Sequence, residues 1–240
     1  MGVVKWLGDS EHWCAEPCDG PPLFLMALTE RWVLDVATAE SAARKLSLAA
    51  GLNCTSRLAL RVALASSGLN PLWWPLPWHG PCVAKAPASS ANLGVRFLHP
   101  SEYVENLQAV APDLARFGVI EEFVDGPQYE VDGYVVSGEV KLFHPLLQQW
   151  NEDGDRIVGY ERSVPRWEDW KQAVRRTVHA VGLNDAPFCV EMRHSIRDDA
   201  WKVIEIHARL GEDPDLASLI SDENPVAVIE RACRSSSRFR

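Results

Sequence analysis

Apolar and polar residues alternate with a period of two through much of the second half of the chain, and that period predicts strands. The clearest stretch runs from Phe188 to Leu210. Phe188, Val190 and Met192 alternate with Cys189, Glu191 and Arg193. Beyond the polar run Arg197-Asp198-Asp199, Val203, Glu205, His207 and Arg209 alternate with Ile204, Ile206 and Ala208. Two half-buried strands joined by a turn account for both patterns. A turn centred on Asp198 sets Glu191 directly opposite Glu205. A turn centred half a residue away sends the two glutamates to opposite faces.

The same alternation runs through 128–136, where Tyr129, Val131 and Gly133 interleave with Glu130, Asp132 and Tyr134. Ser137-Gly138 then predicts a tight hairpin into the strand Glu139–His144. Cys82–Lys85 and Val119–Val124 read as short strands, and Leu23–Leu28 as a buried one. Helical spacing appears at Trp170, Val174 and Val178, predicting a helix over Trp167–Val181. Ser56 opens another, with Leu60, Ala63 and Leu64 on one side and Arg57 and Arg61 one turn apart on another. Further helices are predicted from Glu30 to about Leu48, ended by Gly51-Leu52-Asn53-Cys54, and from Pro100 to Gly118. Two more run through Ile220 and from Pro225 to about Cys233. The proline-rich stretch Asn70–Pro87 excludes helix until the strand at its end. Gln148–Val164 reads as a loop or short hairpin, residues 1–22 as irregular, and the Ser235-Ser236-Ser237 tail as disordered. This order predicts an α+β fold, with antiparallel sheets and packed helices.

Composition narrows the function classes. The 240 residues are 47% apolar and 24% charged, as in ordinary globular proteins with a sizeable core. A net charge of −9 without Lys/Arg clusters argues against nucleic acid as a partner. No apolar run is long enough for a membrane span and the N-terminus does not read as a signal peptide, so the cytoplasm is the expected location. Six scattered cysteines without paired CxxC spacing read as free thiols. His12, Cys14 and Cys18 lie close enough in sequence for a zinc corner but lack a fourth ligand nearby. Trp73, Trp74 and Trp78 fit either packing beneath a loop or a docking surface.

Two features carry candidate chemistry. Facing carboxylates on adjacent strands repel, and a cation between them relieves the repulsion. Glu191, Glu205 and His207, with Arg209 two residues on, compose a surface for a divalent cation and phosphate. The alternative is a hairpin with solvated charges. The second feature is Lys85, at the end of a strand, followed by Ala86-Pro87-Ala88-Ser89-Ser90-Ala91-Asn92-Leu93-Gly94. Such a small-residue loop can bring backbone N–H groups to a phosphate while the lysine supplies charge, although it does not match the P-loop pattern.

In this order, PCVAKAPASSANLGV, GVIEEFVDGPQYEVDGYV, FCVEMR and VIEIHARLGED resemble the ATP-grasp superfamily, in particular its carboxylate–amine ligases. The resemblance spans about Leu28 to Ala232. It implies ATP and Mg²⁺ as cofactors and small-molecule carboxylate and amine substrates. Lys85 matches a phosphate-contacting, catalytic lysine, and Ser89, Ser90, Asn92 and Gly94 match the covering loop. Glu121, Glu122, Phe123 and Val124 match the adenine hinge, with Glu121 near the amino group. Gln128 stands at the ribose position. Glu191 and Glu205 match the metal carboxylates, and Arg209 a catalytic arginine that steadies the transferred phosphoryl group. Three positions depart from the family pattern. Ser56-Arg57 replaces an Asp-Lys pair, with Arg57 keeping the charge for phosphate. Gln128 replaces an acid. His207 replaces an asparagine metal ligand and makes Mn²⁺ an alternative.

The implied organisation is a remnant of an N-terminal domain with a linker helix at 1–80, a small subdomain with the covering loop at 81–124, and a large one with the metal-binding hairpin at 125–240. The short N-terminal region makes a homodimer or a partner supplying the missing domain an expectation. The expected function is ATP-dependent ligation of a carboxylate to an amine through an acyl phosphate. The alternative is a non-catalytic nucleotide- or partner-binding protein on the same frame.

Overall fold

The computed structural model describes residues 5–7, 25–27, 47–73, 80–87, 95–98, 118–152, 156–211 and 217–235. The predicted helices at 30–48 and 100–118, the loop residues Ser89, Ser90, Asn92 and Gly94, and His12, Cys14 and Cys18 fall wholly or almost wholly outside them. Strands β1 (Lys5–Leu7) and β2 (Leu25–Ala27) pair in parallel. The two larger sheets are antiparallel, as the alternation predicts. One has three strands in the order β4-β3-β5, from β3 (Cys82–Lys85), β4 (Val95–Leu98) and β5 (Val119–Glu122). The other has six strands and is built on β6 (Gln128–Val136), β10 (Pro187–Ser195) and β11 (Ala200–His207). β7 (Glu139–Leu142) pairs with β6 through the Ser137-Gly138 turn. β8 (Leu146–Trp150) and β9 (Ile157–Arg162) settle the Gln148–Val164 stretch as a hairpin that also pairs with β6.

Helices cover one face of the six-stranded sheet. In α3 (Trp170–Val181), Trp170, Val174 and Val178 are buried at the predicted spacing and pack with Val131, Phe188, Val190, Met192 and Val203 in one core. Helices α1 (Leu48–Thr55) and α2 (Arg57–Ala63) join that core through Ala50, Cys54 and Leu60. α1 corrects the sequence expectation, because Gly51-Leu52-Asn53-Cys54 lies inside a helix rather than ending one. A helical glycine costs about 1 kcal/mol relative to alanine. Tertiary contacts offset it here: Ser47 caps the helix by accepting from the Ala50 N–H, Gly51 is buried, and the Asn53 amide donates to the Val181 carbonyl at 3.1 Å. Ser56 caps α2 as predicted, accepting from the Ala59 N–H. The short α4 (Ala217–Ile220) and α5 (Pro225–Ser235) follow the sheet. Ile229 and Cys233 of α5 pack on Tyr134 and Val136, and Ser235 belongs to the helix rather than to a disordered tail. No helix among the described residues is long and apolar enough to cross a membrane.

The central hairpin does not turn about Asp198. Ser195 pairs with Ala200 and Met192 with Val203, which puts the centre half a residue earlier. That register alone would send the glutamates to opposite faces. Glu191 nevertheless faces Glu205, because the register shifts between Glu191 and Met192 and leaves Ile204 as an extra residue. The β-bulge has a second consequence. Val203 enters the core with none of its surface exposed, whereas Ile204 and Glu205 both border the cleft beside the sheet. The simple alternation had placed Val203 on the glutamate side.

β11 is an edge strand, and backbone groups on its outer side need partners from elsewhere: the Val203 N–H donates to the Leu69 carbonyl, and the carbonyls beside the bulge need donors. Arg61 of α2 supplies them. Its guanidinium donates to the Val203 carbonyl at 2.8 Å and to the Ile204 carbonyl at 2.8 Å. It also pairs with Glu121 at 2.8 Å and lies 3.3 Å from the Asn70 side-chain oxygen, with no exposed surface. Removing one partner of a buried ion pair typically costs about 3–5 kcal/mol. Arg61→Met is therefore expected to lower unfolding stability by about that amount in urea denaturation. An Arg61→Met protein with unchanged stability would show that the bulge is held by other means.

Candidate active site

Strands β6, β10 and β11 bring six ionisable side chains onto the sheet face opposite the helical core. Register pairs Glu130 with Glu191 and Glu191 with Glu205, making one row across three strands. It pairs Asp132 with Cys189 and Cys189 with His207, making a second row beside it. Glu191, Glu205 and His207 each offer a ligand atom within 4.8 Å of the others, as do Glu130, Asp132 and Cys189. His207 Nε2 lies 3.4 Å from Glu205 Oε2. Arg57 of α2 reaches the same oxygen at 2.5 Å.

The cations arrive from α2 and the three-stranded sheet. Lys85 and Glu121 lie on neighbouring strands, two residue pairs apart diagonally, and their side chains meet at 2.8 Å. Arg61 holds the other oxygen of Glu121, so this carboxylate bridges two cations. Its side chain points into this network. Glu122 points elsewhere: it accepts from the Leu72 N–H at 2.8 Å and pairs with Arg197 at 2.6 Å. Between the two sheets lies a narrow cleft. Val83, Val95, Phe97, Phe123 and Ile204 give it apolar walls, and Lys85, Glu191 and Glu205 also border it.

Gln128, which also lines this cleft, is committed at both ends of its amide. It donates to Glu191 at 2.7 Å and accepts from Arg193 at 2.7 Å. Arg193 also donates to the Val124 carbonyl and lies 5.0 Å from the centre of the Phe123 ring and 5.5 Å from that of Trp150. The Phe123 N–H donates to the Pro81 carbonyl. The Glu122 N–H donates to the Leu72 carbonyl, so at least three backbone groups of the 121–124 stretch are engaged within the protein. Arg209 is buried beyond His207, where its charge acts on Asp132 and it donates to the Leu210 carbonyl. Sequence reasoning did not single out Arg61, Arg193, Glu130 or Asp132 as parts of this face. The signals were present: Arg61 follows Arg57 by one helical turn, and the acids and Arg193 sit at period-two positions beside chosen residues.

Charge on this face is unevenly offset. Burial works against ionised Glu205, but Arg57, His207 and Lys85 outweigh it and hold the carboxyl well below its usual range. Burial likewise opposes ionised Glu121, and Arg61 and Lys85 together overcome it. Lys85 is pushed down by burial, against the pull of Glu121. Glu191 receives no comparable cation. Burial, then Glu205 and Glu130, push it up to about 7. Burial and Asp132 push Glu130 to about 7, and burial raises Asp132 to about 6.

No protein-family model and no curated protein matches the chain. The fold does match solved structures, and it is the ATP-grasp fold. An L-amino acid ligase from Bacillus licheniformis superposes with a TM-score of 0.71 at 21% identity, covering 89% of this chain and 57% of that one. A D-alanine–D-alanine ligase from Bacillus anthracis gives 0.60 at 16% identity, covering 88% and 80%. The biotin carboxylase domain of the Hydrogenobacter thermophilus 2-oxoglutarate carboxylase, solved with MgADP, ADP and bicarbonate, gives 0.67 at 11% identity, covering 90% and 54%. The chain thus spans little more than half the length of the amino acid ligase.

The raised carboxyls make stability pH-dependent. An acid whose folded pKa lies above its unfolded value binds more protons when folded, so its contribution is full below the unfolded pKa and is lost as pH rises through the folded one. Glu191, Glu130 and Asp132 share this sign, between their ordinary values of 4.5 or 3.8 and folded values near 6 to 7. Without divalent cations, the melting temperature is expected to fall as pH rises from 5 to 8. Glu191→Gln should flatten that slope. A melting temperature that rises across this window would contradict the assignment.

Proposed function

We propose that the chain is an ATP-dependent ligase that joins a carboxylate to an amine. The observation that carries this reading is the facing pair Glu191 and Glu205, with His207, at the border of an apolar cleft that Lys85 also lines. The donor set fits a divalent cation. Two carboxylates suit Mg²⁺, and the imidazole shifts the preference toward Mn²⁺. The raised Glu191 carboxyl is in keeping with a position where a positive charge is wanted. The apolar walls suit a flat nucleobase between the lobes 81–124 and 125–240.

Metal-bound ATP would supply the phosphoryl group that converts a substrate carboxylate into an acyl phosphate, which the amine then attacks, releasing phosphate. The protein's own work is positioning and charge neutralisation. Lys85 and Arg209 offset negative charge on the transferred group. Arg57, which pairs with Glu205, would serve phosphate oxygens where Glu205 holds a cation. Gln128 is held by Arg193, so it presents one fixed edge to Glu191 and the cleft. The loop with Ser89, Ser90, Asn92 and Gly94 covers the phosphates and keeps water from the acyl phosphate.

A second reading follows from the Arg57–Glu205 pair itself. An arginine already seated on a metal carboxylate suits a protein that binds nucleotide without turning it over. Calorimetric titration of ATP with Mg²⁺, Mn²⁺ or EDTA addresses both. Cation-dependent binding, abolished in Glu205→Ala, is expected. ADP should form only when both a carboxylate and an amine are supplied, and Lys85→Ala should lower turnover by about 10²–10³-fold without unfolding the protein. Binding without ADP across a panel of amino acids and amines would favour the binder. Glu205→Ala with normal binding would remove the metal assignment.

A further inference from the structure

The second row of the polar face has an unbalanced inventory of donors and acceptors. Glu130 and Asp132 are 4% and 1% exposed, on one strand and two residues apart. The protein supplies them with few donors. Asp132 Oδ1 accepts from the Gly211 N–H at 2.7 Å, and the Gln148 amide lies 3.4 Å from Glu130 Oε2. Asp132 Oδ2 is buried without a hydrogen-bond partner. So is Oε1 of Gln148, itself only 4% exposed, whose amide lies against Glu130. Cys189 stands opposite Asp132 in the register, with its sulfur within 4.8 Å of a carboxylate oxygen from each acid. The pair thus holds one unpartnered buried oxygen of its own, Asp132 Oδ2, and the buried Gln148 amide beside it leaves Oε1 unpartnered; with only Arg209 and His207 acting on Asp132 from a neighbouring strand and its end, the site calls for a further positive charge.

A cationic ligand could be an alkylammonium or a metal ion. An alkylammonium needs a channel for its carbon chain, and neither the cleft between the sheets nor the groove between β7 and α3 is lined by Glu130 or Asp132. A metal ion needs only the space between its ligands. The sulfur also favours a metal, since a thiol accepts hydrogen bonds weakly but as thiolate is a strong ligand for borderline ions. Ligands around a tetrahedral Zn²⁺ stand about 3.3–3.8 Å apart, from bond lengths of about 2.0–2.3 Å. Side-chain rotations from the present 4.8 Å limit reach that spacing. A half-turn of the Gln148 amide presents Oε1 as the fourth donor. Gly211 belongs to the same site, because a Cβ there would come 2.5 Å from Glu130 Oε1.

We propose that Glu130, Asp132, Cys189 and the Gln148 carbonyl form a second cation site, for a borderline divalent ion of the Zn²⁺ or Co²⁺ type. It is separate from the Glu191–Glu205–His207 cluster and stands without the ligase reading. Binding displaces the Cys189 thiol proton and any proton shared by the two acids. The ion offsets two buried carboxylates behind the first row and ties the start of the segment after β11, through Gly211, to the sheet.

Titration of the purified full chain with Co²⁺ tests this, read by absorption and equilibrium dialysis. One equivalent that carries a near-ultraviolet thiolate-to-cobalt band is expected, displaced by Zn²⁺ and distinct from Co²⁺ held without such a band by the Glu191–Glu205–His207 cluster. The band should vanish in Cys189→Ser and persist in Glu205→Ala, which lies in the other cluster. Asp132→Asn, similar in shape, should weaken Co²⁺ binding at least about tenfold, and Glu130→Gln serves the same purpose if that variant does not fold. No thiolate band in the wild-type protein, or a band that persists in Cys189→Ser, would overturn the site and leave a proton shared by Glu130 and Asp132. ATP binding is measured separately, so loss of either result leaves the other standing.

Discussion

The structure of this face depends on the buried guanidinium of Arg61. It satisfies the Val203 and Ile204 carbonyls beside the bulge in the edge strand β11. It also anchors Glu121, which in turn holds Lys85. One side chain therefore joins α2, the six-stranded sheet and the three-stranded sheet. An arginine suits this position better than a lysine, because its planar fork can serve two carbonyls and a carboxylate at once. Without the bulge Glu191 and Glu205 would diverge, and with the bulge alone two carbonyls would lie buried and unsatisfied.

From that anchor the charges separate into two groups. Toward α2 and β3, acids and bases are matched: Glu121 with Arg61 and Lys85, Glu205 with Arg57. Toward β6, acids accumulate without matching cations, and their carboxyls are pushed toward neutrality. A folded chain holds such a surplus only where other terms outweigh it, and here the apolar core on the opposite face of the same strands is the compensating term. Because side chains alternate across a sheet, Val131, Phe188, Val190 and Met192 can bury themselves while their neighbours assemble the polar rows. Stability and candidate chemistry thus share the same strands but use opposite faces.

Much of this was legible along the chain. Period-two alternation marked β6, β10 and β11, and helical spacing marked α3. Ser56 marked the start of α2, since a hydroxyl before an apolar-periodic run is a strong cap signal. The facing glutamates were inferred correctly from a turn position that was half a residue wrong, because a bulge corrected the register. No local pattern announces such a bulge; Val203-Ile204 reads as ordinary strand. Gly51 misled because propensity is a weak term and tertiary packing overrode it. That Arg61 and Lys85 both reach the Glu121 carboxylate was not legible, because only the docking of α2 and the pairing of β3 with β5 bring them together.

The amino-acid sequence by itself determined the element types and the presence of acids, imidazole and cations at alternating positions, since side-chain periodicity is a local property of strands and helices. Tertiary structure decided which of those groups meet. Arg57 finds Glu205, Arg61 finds Glu121, and Gln128 stands between Arg193 and Glu191, across sequence separations that no period spans. The reason is geometric. Register across three strands and the docking of one short helix set distances of a few ångströms, and at that scale a one-residue slip exchanges a carboxylate of the polar face for a core residue.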